Sequence, residues 1–240
     1  MPHSCTPKSF ITDEKQVDWW GSDQLNQYYC IYSPQCFDDH LFDRYYLECP
    51  ADIANAVEKR KSEFLAGRYC AKKVVQHFGF RNFPINIGPD RNPLWPNGIL
   101  GSISHTDNVA TAVACDDRRL LGLGIDVERI ISDGPMNETK AHILTASEHR
   151  LIESKSLSSN KLFTIVFSLK ESFFKAAYPL VNRYFGFEVM SVVSIDIHCG
   201  TVVFRLNETL HNRLGEGDVL SGQFRFIDKD LLVTLVLLTR

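Results

Sequence analysis

The chain contains no Cys-x-x-Cys pair, no His-Glu-x-x-His and no glycine-rich phosphate loop of the Gly-Lys-Ser/Thr or Gly-x-Gly-x-x-Gly kind. Its cysteines (5, 30, 36, 49, 70, 115 and 199) are odd in number and scattered, which counts against a disulfide scaffold or a structural zinc site. A reducing, cytoplasmic compartment fits best. An excess of positive charge is also missing, with 26 Lys and Arg against 29 Asp and Glu and a net charge of −3. That balance disfavours a strongly basic nucleic-acid binder, and no nucleic-acid partner is expected. The longest apolar run, Leu231 to Leu238, is broken only by Thr234; it suits a buried strand and is too short to span a bilayer. Met1-Pro2-His3-Ser4 is not a basic segment leading into an apolar one, so no secretory signal is expected. What remains is an ordinary soluble composition, 44% apolar and 23% charged. At about 150 residues per domain, the 240 residues amount to about 1.6 domains.

The first fifty residues are aromatic and irregular, with a strand expected at Tyr28 to Tyr32. From Ala51 to Phe78 the apolar positions Ile53, Val57, Phe64, Ala71, Val75 and Phe78 follow a helical period, and Gly79 sits where a C-cap belongs. A loop rich in Gly, Pro and Asn follows, from Pro84 to Gly101. Strands are predicted at Ser102 to His105, Val109 to Cys115 and Leu121 to Val127. Ser132 to Glu138 reads as a loop, and Thr145 with Glu148 as a capping box opening a short helix. After a polar break at Ser156 to Asn160, an apolar helix is predicted from Lys161 to Tyr178, stopping at Pro179. Strands are then expected at Phe187 to Ile197, Thr201 to Leu206, Leu220 to Ile227 and Leu231 to Thr239. The pattern predicts an α+β chain of two halves, 1–120 and 121–240, meeting near Gly122. Each half offers one long helix and a small sheet.

The sharpest local signal lies in the second long helix. Apolar residues nearly encircle it, yet Thr164, Ser168, Glu171 and Lys175 form one narrow polar stripe. At about 100° per residue, Glu171 and Lys175 fall within about 40° of each other. A solvated stripe with an ordinary i,i+4 pair is the usual meaning, but the apolar arc is too wide for a surface helix. A second signal is Gly124-Ile125-Asp126-Val127-Glu128, where Asp126 and Glu128 share one strand face. Two carboxylates at a strand exit are often just an exposed end. With Glu171 they would make an all-oxygen site suited to Mg²⁺. A third is Ser102-Ile103-Ser104-His105. Lys61, Arg68 and Lys72 fall on one face of the first long helix, with Arg60 beside its apolar face. Three carboxylates and several cations are the parts of metal-assisted phosphoryl chemistry.

These residues carry a family resemblance. Gly124 to Glu128, paired with Phe167-Ser168-Leu169-Lys170-Glu171-Ser172-Phe173-Phe174-Lys175, resembles the signature of the 4′-phosphopantetheinyl transferases. Glu63 to Ala71, and Pro93 to Gly98 through Gly101 to His105, resemble the enterobactin-synthetase component D type. The similarity runs from about Arg60 to Pro179, with the motifs in the same order. It implies two pseudo-symmetric subdomains, each a small sheet packed on a long helix, with coenzyme A in the cleft between them. It also implies transfer of the phosphopantetheine arm from coenzyme A to a serine of a carrier protein, releasing adenosine 3′,5′-bisphosphate. By motif, Asp126, Glu128 and Glu171 become the Mg²⁺ ligands, Glu171 also the general base, and Lys175 a pyrophosphate contact. Ser104 and His105 match contacts to coenzyme A phosphate, with Arg68 and Arg91 as further contacts. Arg60 is a further candidate for which the adjacent Lys59 and Lys61 are rivals.

The resemblance suggests peptidyl or aryl carriers of a siderophore-making nonribosomal peptide synthetase as partners, with acyl carriers of polyketide or polyunsaturated-fatty-acid synthases as the alternative. The expected assembly is a monomer. A different metal-dependent phosphoryl or nucleotidyl transferase is a rival with no nucleotide loop to support it. A non-catalytic carrier-docking subunit is the other, and the intact carboxylate set argues against it.

Overall fold

The computed structural model describes residues 9–153 and 157–239. Met1 to Ser4 and Ser156, on which two of the sequence expectations fall, lie outside them. The chain divides into two compact units, Met1–Asp117 and Arg118–Arg240.

The first unit is a four-stranded antiparallel sheet with one long helix against it. Strands β1 (Ile11–Val17), β2 (Asn26–Tyr32), β3 (Leu100–Thr106) and β4 (Val109–Cys115) run in the order β1-β2-β4-β3. β4 is buried along its whole length, so its Val/Ala sequence has no polar face. β1 was not anticipated from the sequence. It is an edge strand whose interior residues are all exposed, so it shows no apolar alternation. Glu14 fastens it by accepting hydrogen bonds from Tyr28 on β2 and Tyr69 on the helix.

The helix expected over Ala51 to Phe78 is two helices. After the short α1 (His40–Arg44), α2 (Ala51–Ala54) ends where the Asn55 side chain donates to the Ala51 carbonyl at 3.1 Å. Val57 is extended and 73% exposed, and α3 (Glu58–His77) starts from it. At Gly67, α3 crosses β3 so closely that an added Cβ would lie 3.0 Å from Ile103 Cγ2.

The second unit is a five-stranded antiparallel sheet. Its strands are β5 (Leu120–Arg129), β6 (Met190–Asp196), β7 (Thr201–Leu206), β8 (Val219–Phe226) and β9 (Leu231–Thr239), in the order β5-β9-β8-β7-β6. Three expectations need correction. Ser132 to Glu138 is not a loop but the start of α4 (Asp133–Ile143). Pro135 is tolerated there because the first turn of a helix has no partners for its N–H groups. The long helix α6 (Ser159–Val181) runs past Pro179, which costs only a bond in the last turn, and ends at left-handed Asn182. The strand expected from Phe187 begins at Met190, after a 3₁₀ turn at Phe187–Val189.

The anticipated capping box is present and does more than cap. At the head of α5 (Ala146–Glu153), Glu148 Oε2 accepts from the Thr145 backbone N–H at 2.7 Å and its hydroxyl at 3.0 Å. Its other oxygen accepts from the Val192 N–H at 2.7 Å. Lys170 of α6, 1% exposed against a Glu148 that is 0% exposed, donates to that carboxylate and to the carbonyls of Ile143 and Phe187. The network ties α4, α5, β6 and α6 together, and burial lowers the Lys170 pKa against the pull of Glu148.

A buried pair is costly to break from one side because the remaining charge is stranded. Lys170→Met is expected to lower unfolding free energy by about 3–5 kcal/mol in urea denaturation. The double variant Glu148→Gln/Lys170→Met should recover most of the loss, and equal losses in single and double variants would exclude a stranded charge as the cause.

Candidate active site

Two glycines determine where the second unit can do chemistry. Gly122, Gly124, Asp126 and Glu128 alternate onto one face of β5, the face that α6 covers. A Cβ on Gly122 would lie 2.0 Å from the Ala176 carbonyl oxygen, and one on Gly124 2.0 Å from that of Ser172. Strand and helix backbones are therefore in direct contact. The polar stripe of α6 turns onto the sheet rather than to solvent: Thr164 and Ser168 are buried, and Glu171 and Lys175 are partly so.

Asp126 is 3% exposed, and both of its oxygens are engaged. Ser168 Oγ donates to Oδ2 at 2.7 Å, and Lys175 Nζ to Oδ1 at 2.7 Å. Lys175 thus reaches across to the strand carboxylate. Behind Ser168, Thr234 of β9 donates to the Ser168 carbonyl at 2.9 Å. The Ser168 and Ser172 hydroxyls lie 2.9 and 2.7 Å from Thr234 Oγ1. Sequence reasoning missed Ser172 and Thr234 as site residues. The signal was there, because Thr234 is the one hydroxyl in the apolar run Leu231 to Leu238 and pairs in register with Asp126.

Glu171, on the same stripe, is held above the ordinary carboxyl value. Burial raises its pKa, Lys175 counteracts this, and the charge of Asp126 raises it further. An aromatic-walled cavity of about 150 Å³ opens beside it, with Phe173, Phe174, Phe185 and Tyr184 in its wall. Glu128 is half-buried on the β5 face it shares with Asp126.

The donor set suits a hard divalent cation: carboxylate oxygens on touching elements, with one charge already raising the pKa of another. Lys175 supplies a cation to Asp126. Among the described residues, no three His, Cys, Asp or Glu side chains converge closely enough to hold a metal.

The first unit holds a cavity with basic side chains in its wall. A cavity of about 350 Å³ is lined by Arg60, Arg68, Arg91 and His105, with Asp52 and Glu63 as the acidic members. Arg60 Nη1 lies 3.3 Å from His105 Nε2. A guanidinium only donates, so Nε2 is the acceptor in this contact. Arg68 is 9% exposed, its Nε has no hydrogen-bond partner, and burial with the charge of Arg60 lowers its pKa to about 10. Arg91 sits in the left-handed region at φ 63°, in a tight turn where Gly88 N–H donates to the Asn92 carbonyl. Such strain is concentrated at functional loops.

The structure sorts the basic candidates. Lys61 is committed to Asp39 at 3.1 Å, and Lys72 to the carbonyls of Tyr45 and Tyr46. Of the face read from Lys61, Arg68 and Lys72, Arg68 is the member that lines the cavity. Lys59 reaches Glu63 and is 72% exposed, and Arg60 rather than a neighbouring lysine lines the cavity. Ser104 is buried and points to the side of β3 opposite Ile103 and His105, away from this cavity.

Two expected outcomes follow. Gly124→Ala should cost about 1–3 kcal/mol in denaturant unfolding, because the obstacle is a backbone oxygen that cannot rotate away. A stability unchanged from wild type would mean that α6 is not seated on β5. The raised pKa of Glu171 means its ionised form is disfavoured on folding, so its contribution to stability is lost as pH rises through the folded value. In EDTA, Glu171→Gln should therefore be more stable than wild type at pH 7, with the gain vanishing below the ordinary value of 4.5. Urea denaturation at pH 7 and pH 4 checks this; destabilisation at pH 7 would contradict it.

Comparison with known proteins matches residues 48–115 to the 4′-phosphopantetheinyl transferase N-terminal domain and residues 122–227 to the 4′-phosphopantetheinyl transferase superfamily. Enterobactin synthase component D of Salmonella typhi is 35% identical over 65% of this chain and 64% of its own length. That of Escherichia coli (strain K12) is 37% identical over 59% of this chain and 65% of its own length. The 4′-phosphopantetheinyl transferase Npt of Nocardia iowensis is 29% identical over 68% and 71%. The chain thus spans a little under two thirds of the component D relatives it matches. With both of its units matched in sequence by consecutive parts of one family, and with the acidic residues of β5 and α6 inside the second part, the chain belongs to the 4′-phosphopantetheinyl transferase superfamily.

Proposed function

We propose that the protein transfers the 4′-phosphopantetheine arm of coenzyme A to the serine hydroxyl of an apo carrier protein, releasing adenosine 3′,5′-bisphosphate. The observation that carries this reading is the contact of β5 with α6, which gathers Asp126, Glu171 and Lys175 at one place.

Asp126, Glu128 and Glu171 would hold Mg²⁺, which when bound supplies charge neutralisation at the pyrophosphate. Glu171 takes the proton of the carrier serine, a task suited to a carboxylate whose proton affinity is raised by burial. The serine oxygen then forms its bond to the phosphorus that bears pantetheine, and the bond to the bridging pyrophosphate oxygen breaks. Charge develops on the departing bisphosphate, and Lys175 opposes it. Arg60, Arg68, Arg91 and His105 bind coenzyme A phosphate in the first unit, and the unpartnered Arg68 Nε is a donor ready for such an oxygen. Ser104 joins these contacts on the resemblance alone.

The similarity to enterobactin synthase component D supports carriers of siderophore synthesis, peptidyl or aryl, over polyketide or polyunsaturated-fatty-acid synthase carriers. A cytoplasmic monomer is the expected form. Six free cysteines among the described residues, two of them buried with sulfurs 3.4 Å apart, support a reducing compartment. No helix among the described residues is long and apolar enough to cross a membrane.

Mass spectrometry of an apo carrier incubated with coenzyme A and Mg²⁺ tests the reaction. A gain of roughly 340 Da at the carrier serine is expected for the added arm. No gain across peptidyl, aryl and acyl carriers would sink the proposal. Glu171→Gln should abolish the gain and leave coenzyme A affinity nearly intact, whereas Arg68→Ala should raise KM for coenzyme A more than it lowers kcat.

A further inference from the structure

We infer that Lys175 is a built-in competitor for the metal: its ammonium holds Asp126 in the metal-free protein and must leave that oxygen before a divalent cation can be ligated. The inference rests on the reading of Asp126, Glu128 and Glu171 as metal ligands, and it assigns Lys175 a second role besides its contact with substrate.

The geometry is unequal on the two sides of Asp126. Ser168, on Oδ2, is itself buried and backed by Thr234 and Ser172, so that partner is locked. Lys175, on Oδ1, keeps a side chain that is 27% exposed against 5% for Asp126. The ammonium is the partner with room to move. While it lies 2.7 Å from Oδ1, it fills the position a cation would take on that oxygen and repels any second positive charge nearby.

The same contact explains what the lysine gains from being there. A carboxylate 3% exposed is costly without a compensating charge, and Lys175 supplies it until metal arrives. Three carboxylates and one ammonium leave two net negative charges, the complement of a divalent cation. Once displaced, the ammonium is one helical turn from Glu171 and available to a phosphate oxygen. Metal binding and substrate binding are thereby coupled, because the cation that takes Asp126 frees the lysine for coenzyme A.

Mn²⁺ is the probe, with its binding followed by the loss of the free-ion electron paramagnetic resonance signal, in the absence of coenzyme A. Lys175→Met, which keeps length and removes charge, should bind Mn²⁺ at least about tenfold more tightly than wild type. Lys175→Arg, which keeps the charge, should bind within about threefold of wild type. Transfer should fall in Lys175→Met even as metal binding tightens, a divergence that a merely structural lysine would not produce. Unchanged or weaker Mn²⁺ binding by Lys175→Met, with wild-type circular dichroism, would overturn the inference and leave the metal reading standing. Absence of Mn²⁺ binding in all three proteins would overturn the metal reading itself.

Discussion

The contact of two backbones, β5 against α6 at Gly122 and Gly124, is the constraint from which the rest of the second unit follows. Any side chain at either glycine would collide with a main-chain carbonyl of the helix. Without side chains there, the polar stripe of α6 comes within hydrogen-bond distance of Asp126, which a normal helix–sheet spacing would not allow. The strand loses its glycines' packing surface and gains a carboxylate set against Ser168 and Lys175. Gly67 plays the equivalent part in the first unit, from the helix side. It lets α3 close on β3 at Ile103, and so brings Arg60 to His105.

Each unit has a site at which burial and a neighbouring charge perturb an ionisable side chain. In the first, three arginines share a cavity with two acidic residues, and one guanidinium nitrogen is buried without an acceptor. In the second, burial and the nearness of Asp126 raise the Glu171 pKa, with Lys175 a partial remedy. Elsewhere a buried charge pair is fully matched: Glu148 and Lys170 satisfy each other and five further groups at almost no exposure. The contrast separates scaffold from site. A buried ion pair with every bond made is inert, while an unbalanced group is available to a ligand.

Elements whose residue pattern is generated by their own burial were legible in the sequence. β4, β7 and β9 fall where their residues predicted, and the capping residues Thr145 and Glu148 pair as their spacing requires. The elements that escaped are those whose order comes from elsewhere. β1 is held by Glu14 and the tyrosines and has no apolar alternation. α4 carries Gly134 and Pro135, loop residues in isolation that a first helical turn accepts. The helix runs through Pro179 because a proline in the last turn removes only the one bond its own N–H would have made. At the site, Asp126, Glu128, Glu171 and Lys175 were found from periodicity, since i and i+2 on a strand or i and i+4 on a helix are local relations.

The sequence by itself determined the two-unit α+β organisation, the acidic strand, the polar stripe on an otherwise apolar helix and the basic helix, because each is a short-range pattern written in side-chain spacing. The tertiary structure decided which cations remain available. Lys61 and Lys72 are spent on Asp39 and on the carbonyls of Tyr45 and Tyr46, and Arg60 takes the place beside His105. It also decided that Lys175 pairs with a carboxylate 49 positions away, on another element. Charge pairing over such separations depends on how closely two backbones approach, and that distance is fixed by residues, the glycines, that carry no charge at all.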